Sequence, residues 1–263
     1  MTAFQHELHF ADAGEAADLA AFLARLIHYD RAAAVRLQAG GGVLAVFGRP
    51  PSFEVLAIRT ARLEAVVTAG ATDAGAPGGP GALDTTVSAG QFADALDAAG
   101  SGTTTASDGL TVAVPEAVTG PPWAGVLPPR GGWRRVPGLP GADEVRAAVA
   151  AAVAEFRARD EALPEEHRTR AERDRIGHEI WSRTLGDTGL PLRAVHAAQS
   201  LGFLRPARAG APAATGFRGA TALAPQDEPL GLLAAGGWLR LRTPYGSIAV
   251  RTSGLSGLSV TPA

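Results

Sequence analysis

The segment AVRLQAGGGVLAVFG (residues 34–48) decides the fold, because it encodes two strands joined by a turn. Residues 35–39 alternate between apolar and polar side chains, and residues 43–47 form a second apolar run. The consecutive glycines between them, residues 40–42, provide the conformational freedom that a tight turn requires. The segment therefore predicts a β-hairpin.

The residues on either side of this hairpin predict two strands and a helix. FQHELHF (residues 4–10) alternates as a strand does, and ADLAAFLARLIHYD (residues 17–30) has apolar residues at helical spacing. The apolar residues of that helix are Leu19, Phe22, Leu23 and Leu26. Two prolines at positions 50 and 51 end the hairpin, and SFEVLAIRTARLEA (residues 52–65) predicts another strand.

The same order of elements then recurs in a shorter form. Residues 69–82 are rich in Gly, Pro and Ala and predict a loop. LDTTVSA (residues 83–89) predicts a strand and GQFADALDAAG (residues 90–100) a helix, while TTTAS and LTVAV (residues 103–114) predict a hairpin.

This order of elements resembles a single domain of a DNA sliding clamp. A strand, a helix and further strands occur twice within residues 1–118, and AVRLQAGGGVLAVFG and TVSAGQFADALDAAG are similar in pattern to clamp segments. The resemblance covers under half of the chain and rests on element order, so it implies a fold. The alternative is an ordinary α+β domain with an accidental repeat.

The charges of the two predicted helices argue against a clamp's function. Clamps encircle DNA and turn basic helices inward, where cationic side chains neutralise phosphates. The first helix carries Asp12, Glu15, Asp18, Arg25 and Arg31, and the second carries Asp94 and Asp97. Because acidic residues outnumber basic ones in both, these helices would repel DNA, and we do not expect a ring function.

A connector rich in proline and glycine follows, PEAVTGPPWAGVLPPRGGWRRVPGLP (residues 115–140). Proline lacks an amide donor and disfavours helix in the residue before it, which predicts an extended segment. Trp123 and Trp133 are candidate anchors that hold this connector against one or both lobes. The predicted division is therefore an α+β lobe at 1–118, a connector at 119–141 and a second lobe at 142–263.

The second lobe is predicted to be mainly helical and to end in a hairpin. Asp143 is the expected N-cap of a helix whose apolar stripe consists of Val145, Val149, Ala152, Val153 and Phe156. Pro164 ends that helix, and an arginine-rich helix follows at about residues 168–185 with Ile176, Ile180 and Trp181 on its buried side. Residues 205–236 read as a loop, and WLRLRTPYGSIAVR (residues 238–251) predicts a hairpin.

The helix LPLRAVHAAQSLGFL (residues 190–204) supports two interpretations. Its apolar side closes a core, while Arg193 and His196 lie on the other side and are candidate contacts for nucleic acid or a partner. Arg240, Arg242 and Arg251 of the hairpin are candidates for the same surface. A helix pair with a basic hairpin resembles a winged helix-turn-helix, but about 35 residues separate this helix from the hairpin, whereas a wing follows its recognition helix closely.

Composition excludes several kinds of site. The chain has no cysteine and no lysine, which excludes disulfides, thiolate metal sites, Schiff-base lysines and the lysine of a phosphate-binding loop. No nucleophile elbow, dinucleotide glycine fingerprint or zinc-protease helix is present, and His6 and His9 point to opposite faces of their strand. We therefore expect a protein without catalytic residues, cofactor or metal, although an enzyme with a dispersed site is an alternative.

Charge and targeting signals indicate where the protein acts and on what. Residues 1–118 carry 6 Arg and 13 acidic residues, whereas residues 119–263 carry 18 Arg and 13 acidic residues. The first residues, MTAFQHELHF, lack the features of a signal peptide, so we expect a cytoplasmic protein. The lysine-free composition indicates a GC-rich bacterial genome. The leading hypothesis is an adaptor or regulatory protein that binds a protein partner and no membrane; the alternative is a winged-helix-like nucleic-acid binder.

Overall fold

The structure, a computed structural model, describes residues 6–68, 82–101, 110–205 and 230–252. The helices are Ala13–Tyr29 (α1), Ala89–Gly100 (α2), Ala142–Glu161 (α3), Arg170–Trp181 (α4) and Leu192–Ser200 (α5). The strands are His6–Phe10 (β1), Ala34–Gly40 (β2), Val43–Gly48 (β3), Leu56–Thr68 (β4), Leu83–Ser88 (β5), Leu110–Ala113 (β6), Arg134–Arg135 (β7), Gly231–Ala235 (β8), Trp238–Thr243 (β9) and Gly246–Arg251 (β10). The predicted mixed α+β class is confirmed.

Local sequence explains the first helix and the hairpin that follows it. The Asp12 side chain caps α1 by accepting a hydrogen bond from the Gly14 amide at 2.7 Å, and the predicted apolar stripe of the helix is buried. β2 and β3 pair antiparallel, with Val35 opposite Gly48. Gly41 and Gly42 adopt positive φ angles of 60° and 75° in the turn, a conformation that glycine adopts without steric cost.

One antiparallel sheet runs through both parts of the chain. Its strand order is β5-β2-β3-β4-β10-β9-β8-β7, so β4 of the N-terminal part pairs directly with β10 of the C-terminal part. Ser247 lies opposite Ile58 at this junction. The far end of β4 pairs with β1, which in turn pairs with β6.

The helices cover one face of this sheet and form the main core with it. Leu19 of α1, Phe92 of α2 and Val195 of α5 are fully or almost fully buried in this core, together with alternate residues of the strands. The N-terminal and C-terminal parts share this one cluster of buried side chains. We call the opposite side of the sheet the outer face.

Two ion-pair clamps hold α3 against α4 and the residues just after it. Arg159 donates to both carboxylate oxygens of Glu179 at 2.8 and 2.7 Å, and Arg183 donates to both oxygens of Glu155 at 2.6 and 2.9 Å. The Arg159 hydrogen bonds lower the pKa of Glu179 to about 2. These contacts are exposed, so they orient the helices more than they stabilise the fold.

The structure corrects several local predictions in the second half. Gly141, not Asp143, is the N-cap of α3, because the Glu144 side chain accepts a hydrogen bond from the Gly141 amide at 3.0 Å. Within the predicted loop at 205–236, residues 231–235 form β8, because they pair with β9. The remaining loop residues 206–229, the loop at 69–81 and the first strand of the hairpin at 103–114 lie outside the described residues.

Candidate interaction surface

The connector crosses the outer face of the sheet from one edge to the other. Beside β5 its Val118 amide donates to the Thr86 carbonyl at 2.8 Å, and at the opposite edge Arg134 and Arg135 form β7. Seven strand-to-strand steps of about 4.8 Å separate these edges. The residues between Val118 and Arg134 are enough to cover that distance as an extended chain.

Two tryptophans and a leucine attach the connector to the sheet. Trp123, Leu127 and Trp133 are partly buried against a small apolar cluster on the outer face. The members of that cluster are Ala45, Phe47, Leu56, Ile58, Trp238 and Ala249. The Trp133 indole Nε1 also donates to the Pro129 carbonyl at 3.0 Å, which fixes the orientation of the ring.

The arginines of the terminal hairpin lie on this same outer face. Leu239 and Leu241 of β9 point into the main core, so the alternation of the strand turns Arg240 and Arg242 to the other side. The Arg240 guanidinium lies 5.7 Å from the centre of the Trp133 ring, and its Nε donates to Ser247 Oγ at 2.9 Å. We call Trp123, Trp133, Trp238, Arg240, Arg242 and Arg251 together the arginine–tryptophan face.

Arg251 completes this face at the end of β10. It lies opposite Trp238 in the β-ladder, and its guanidinium is 5.6 Å from the centre of that ring. Both Arg251 and Arg242 are exposed. The structure therefore brings together five of the predicted candidate residues, Arg240, Arg242, Arg251, Trp123 and Trp133.

The three arginines of this face differ in their charge environment from several other arginines among the described residues. Burial lowers the pKa of Arg240 to about 10, and the neighbouring charge of Arg242 acts in the same direction. Among the residues that the structure describes, no carboxylate lies within ion-pair distance of Arg240, Arg242 or Arg251. In contrast, the exposed arginines Arg170, Arg173 and Arg175 of α4 pair with acidic side chains. The face thus presents positive charge that the described protein groups do not neutralise.

Arg193 and His196 lie on the other side of the sheet. α5 packs its buried residues, among them Ala194 and Val195, into the core on the helical face. Arg193 Nε is 3.7 Å from a carboxylate oxygen of Glu54, and the arginine side chain is 27% exposed. The predicted candidates therefore fall into two groups separated by the sheet.

His196 belongs to a row of aromatic rings that the sequence did not reveal. Its ring stacks on Trp181 at 4.3 Å between centres and contacts Phe53 edge-on at 5.2 Å. Phe53 in turn contacts Tyr29 at 5.6 Å. Burial in this row lowers the pKa of His196 below that of an ordinary histidine. The helical wheel placed His196 outward because it takes no account of α4 and the loop before β4.

The terminal hairpin is not a free wing. β9 and β10 are interior strands of the sheet, flanked by β8 on one side and β4 on the other. A wing lies beside its recognition helix and reaches the nucleic acid. This hairpin instead forms part of the sheet on which α5 packs, and α5 contacts β10. The geometry differs from that of a winged helix-turn-helix in this respect.

The described parts of the chain contain neither a metal-binding cluster nor a membrane-spanning helix. No group of three or more His, Asp or Glu side chains in these parts could hold a metal ion. None of the described helices is both long and apolar enough to span a membrane. A depression of about 720 Å³ between α1 and α2 is lined by alanines, among them Ala20 and Ala24, and by His28, Arg31 and Asp97.

Known structures resemble the chain at the level of the fold. A crystal structure of the DNA polymerase sliding clamp from Pseudomonas aeruginosa is 11% identical, with a TM-score of 0.44 over 98% of this chain and 67% of the clamp. A sliding clamp from the same organism bound to griselimycin is also 11% identical, with a TM-score of 0.43 over 99% and 68%. The resemblance to a sliding clamp is therefore confirmed for the fold alone.

The two family models that match the chain meet within the connector. Residues 3–125 match a family described as "Domain of unknown function (DUF8010)", and residues 128–255 match one described as "Domain of unknown function (DUF8185)". No curated protein matches the chain.

Proposed function

We propose that the protein acts without catalysis, as an adaptor or regulatory protein that binds a protein partner through the arginine–tryptophan face. The observation that carries this proposal is the pair Arg240 and Arg242, which lie side by side on the outer face without an acidic partner among the described residues. Arg240 is partly buried, and an unneutralised charge in such a place is unfavourable for the protein alone, so a bound acidic partner would offset the cost.

The composition of the face supports a protein partner. Protein interfaces are enriched in tryptophan and arginine, with apolar contacts at the centre and charge around them. Here the connector adds an exposed apolar side chain between Trp123 and Trp133, since Val126 is 47% exposed. We also propose a bacterial cytoplasm as the setting, and the lysine-free, arginine-rich composition supports the bacterial part of this proposal.

Binding of nucleic acid is the second candidate, because arginine also binds phosphate. The two possibilities separate in a capture experiment from the native host. We expect the tagged wild-type protein to retain a protein partner after nuclease treatment, and the Arg240→Gln/Arg242→Gln double variant to lose it. Loss of all captured material on nuclease treatment would instead support nucleic-acid binding.

A matched control removes the same charge from the helical side of the molecule. Arg157 of α3 and Arg170 of α4 are both exposed, and Arg170 makes only a loose pair with Asp174 at 3.6 Å. The Arg157→Gln/Arg170→Gln variant should capture the partner as the wild type does. Equal loss in both double variants would show that net charge, and not this face, determines capture.

A further inference from the structure

The arrangement of Arg240 and Arg242 defines what kind of partner segment the face can hold. Alternate residues of a strand project to the same side about 6.6–6.8 Å apart. An extended segment of a partner presents its own alternate side chains at the same interval. Two carboxylates two residues apart can therefore reach the two guanidinium groups together, each forming a charge-assisted hydrogen-bonded pair.

The environment of Arg240 favours a carboxylate over a neutral ligand. Its Nε already donates to Ser247 Oγ, and its guanidinium lies against Trp133, so the head group is held in place before a ligand arrives. An oriented cation loses less conformational entropy when it binds than a mobile one does. Partial burial also strengthens its attraction for an anion, because the surroundings screen the charge less than water does.

The rest of the outer face disfavours a nucleic acid. At the β5 edge of the sheet, Arg36 is neutralised by Asp84, with Nε 2.7 Å from Oδ1, so the basic region does not extend to this edge. Duplex-binding proteins neutralise on the order of 6–10 phosphates along a continuous track. Single strands bind by stacking bases on aromatic rings, but here arginines lie over the rings of Trp133 and Trp238.

We infer that the arginine–tryptophan face binds an extended segment of a partner protein rich in Asp or Glu, with carboxylates on Arg240 and Arg242. This inference rests on the proposed function and names the chemistry of the partner. Charge complementarity supports this inference, because no described residue places an acidic side chain beside these two arginines.

Fluorescence anisotropy with short labelled peptides tests the inference on the full chain. A peptide of alternating Glu and Ser should bind, and its affinity should fall when NaCl is raised from about 50 mM to about 300 mM. The matching peptide of Gln and Ser should not bind. The Arg240→Gln/Arg242→Gln variant should lose at least about tenfold in affinity, whereas Arg157→Gln/Arg170→Gln should be unchanged.

A second variant covers the case in which removal of Arg240 disturbs the fold. Thermal unfolding followed by circular dichroism identifies that case. Arg242 is exposed, so Arg242→Gln alone should keep the wild-type melting temperature and still weaken the Glu peptide several-fold. Equal binding of the Glu and Gln peptides, or no loss in a folded Arg242→Gln variant, would overturn the inference.

Further outcomes separate this inference from the proposed function. If the host partner is captured but the Glu peptide neither competes with it nor binds, a protein partner exists and its acidic character is refuted. If the Glu peptide binds but no protein is captured from the host, the adaptor function is refuted. If a DNA duplex binds more tightly than the Glu peptide, the ligand of the face is DNA and the inference is refuted. If sedimentation shows a wild-type dimer that the double variant does not form, the ligand is a second copy of the chain.

Discussion

Arg59 of β4 donates through Nη2 to Asp18 Oδ2 of α1 at 2.9 Å, and this pair joins the first helix to the middle of the sheet. The Arg59 guanidinium also donates through Nη1 to the Tyr245 carbonyl in the turn between β9 and β10. Asp18 accepts a second hydrogen bond from Arg205 Nη2 at 2.9 Å. One carboxylate thus links α1, β4 and the chain after α5.

Replacement of Asp18 by Asn should strongly destabilise the protein. The Arg59 side chain is only 5% exposed, and burial lowers its pKa while Asp18 opposes that effect. Removal of one partner of a fully buried pair costs about 3–5 kcal/mol; because Asp18 is 38% exposed and Glu15 also favours charged Arg59, we expect about 2–3 kcal/mol here, which urea unfolding can measure. The control is Asp84→Asn, because its partner Arg36 is partly exposed, and this change should cost under about 1 kcal/mol. Equal costs would mean that Arg59 is not effectively buried.

Residues whose structure is set by their neighbours in sequence were predictable. The alternation of residues 35–39 and the glycine turn predicted the β2–β3 hairpin, and the spacing of Leu19, Phe22 and Leu26 predicted α1. β8 was missed because GLLAA has neither alternation nor β-branched residues. It is a strand only because β9 lies beside it, which is a non-local cause.

The candidate surface, too, could be predicted only where its residues are close in sequence. The hairpin at residues 238–251 fixes its own register, so the shared face of Arg240 and Arg242 could be predicted from the sequence. The position of α5 could not, because its packing onto β10 depends on contacts distant in sequence. For that reason Arg193 and His196 were grouped with the hairpin arginines, although the sheet lies between them.

The connector should resist proteolysis, and a cut in it should not release two separate lobes. Trypsin can cut after Arg130, Arg134 and Arg135, but Trp123 and Trp133 hold this segment on the sheet. Cleavage requires local detachment and should therefore be slow. After a cut the halves should elute together in size-exclusion chromatography, because β4 and β10 remain paired.

A Trp123→Ala/Trp133→Ala variant tests whether the tryptophans protect the connector. It should be cut several-fold faster than the wild type, whereas Val126→Ala should be cut at the wild-type rate, since Val126 is already exposed. Separation of the fragments on the column would instead show that residues 1–118 and 142–263 are independent domains.

Stability should fall as the pH is lowered through the ordinary histidine range, with His196 as one cause. Burial lowers the pKa of His196 in the folded protein, so the unfolded chain binds a proton first as the pH falls below about 6.5. Stability is therefore highest above that pH and declines toward the lower pKa of the folded state.

His196→Phe keeps a ring between Trp181 and Phe53 but cannot titrate. Urea unfolding at pH 8 and at pH 5 should show a smaller loss of stability in this variant than in the wild type. His178 is exposed on α4, and His178→Phe should leave the pH dependence as it is. Identical pH profiles for the wild type and His196→Phe would refute a role for the buried imidazole.

The helix α5 should tolerate loss of its arginine and not of its buried leucine. Leu201 is 2% exposed and belongs to the main core, so Leu201→Ala should cost about 2–5 kcal/mol of unfolding free energy. Arg193 makes one loose pair with the exposed Glu54, so Arg193→Ala should cost under about 1 kcal/mol.

Binding measurements then decide between the two interpretations of this helix. Because α5 lies on the helical side of the sheet, Arg193→Ala should bind the Glu peptide and the host partner with wild-type affinity, whereas Arg242→Gln should not. Arg193→Ala and Arg242→Gln are matched changes, because each removes one positive charge and neither removes a core side chain. A folded Arg193→Ala variant that lost partner or DNA binding would show that α5 is itself a contact surface, and that the functional face lies on the helical side of the sheet.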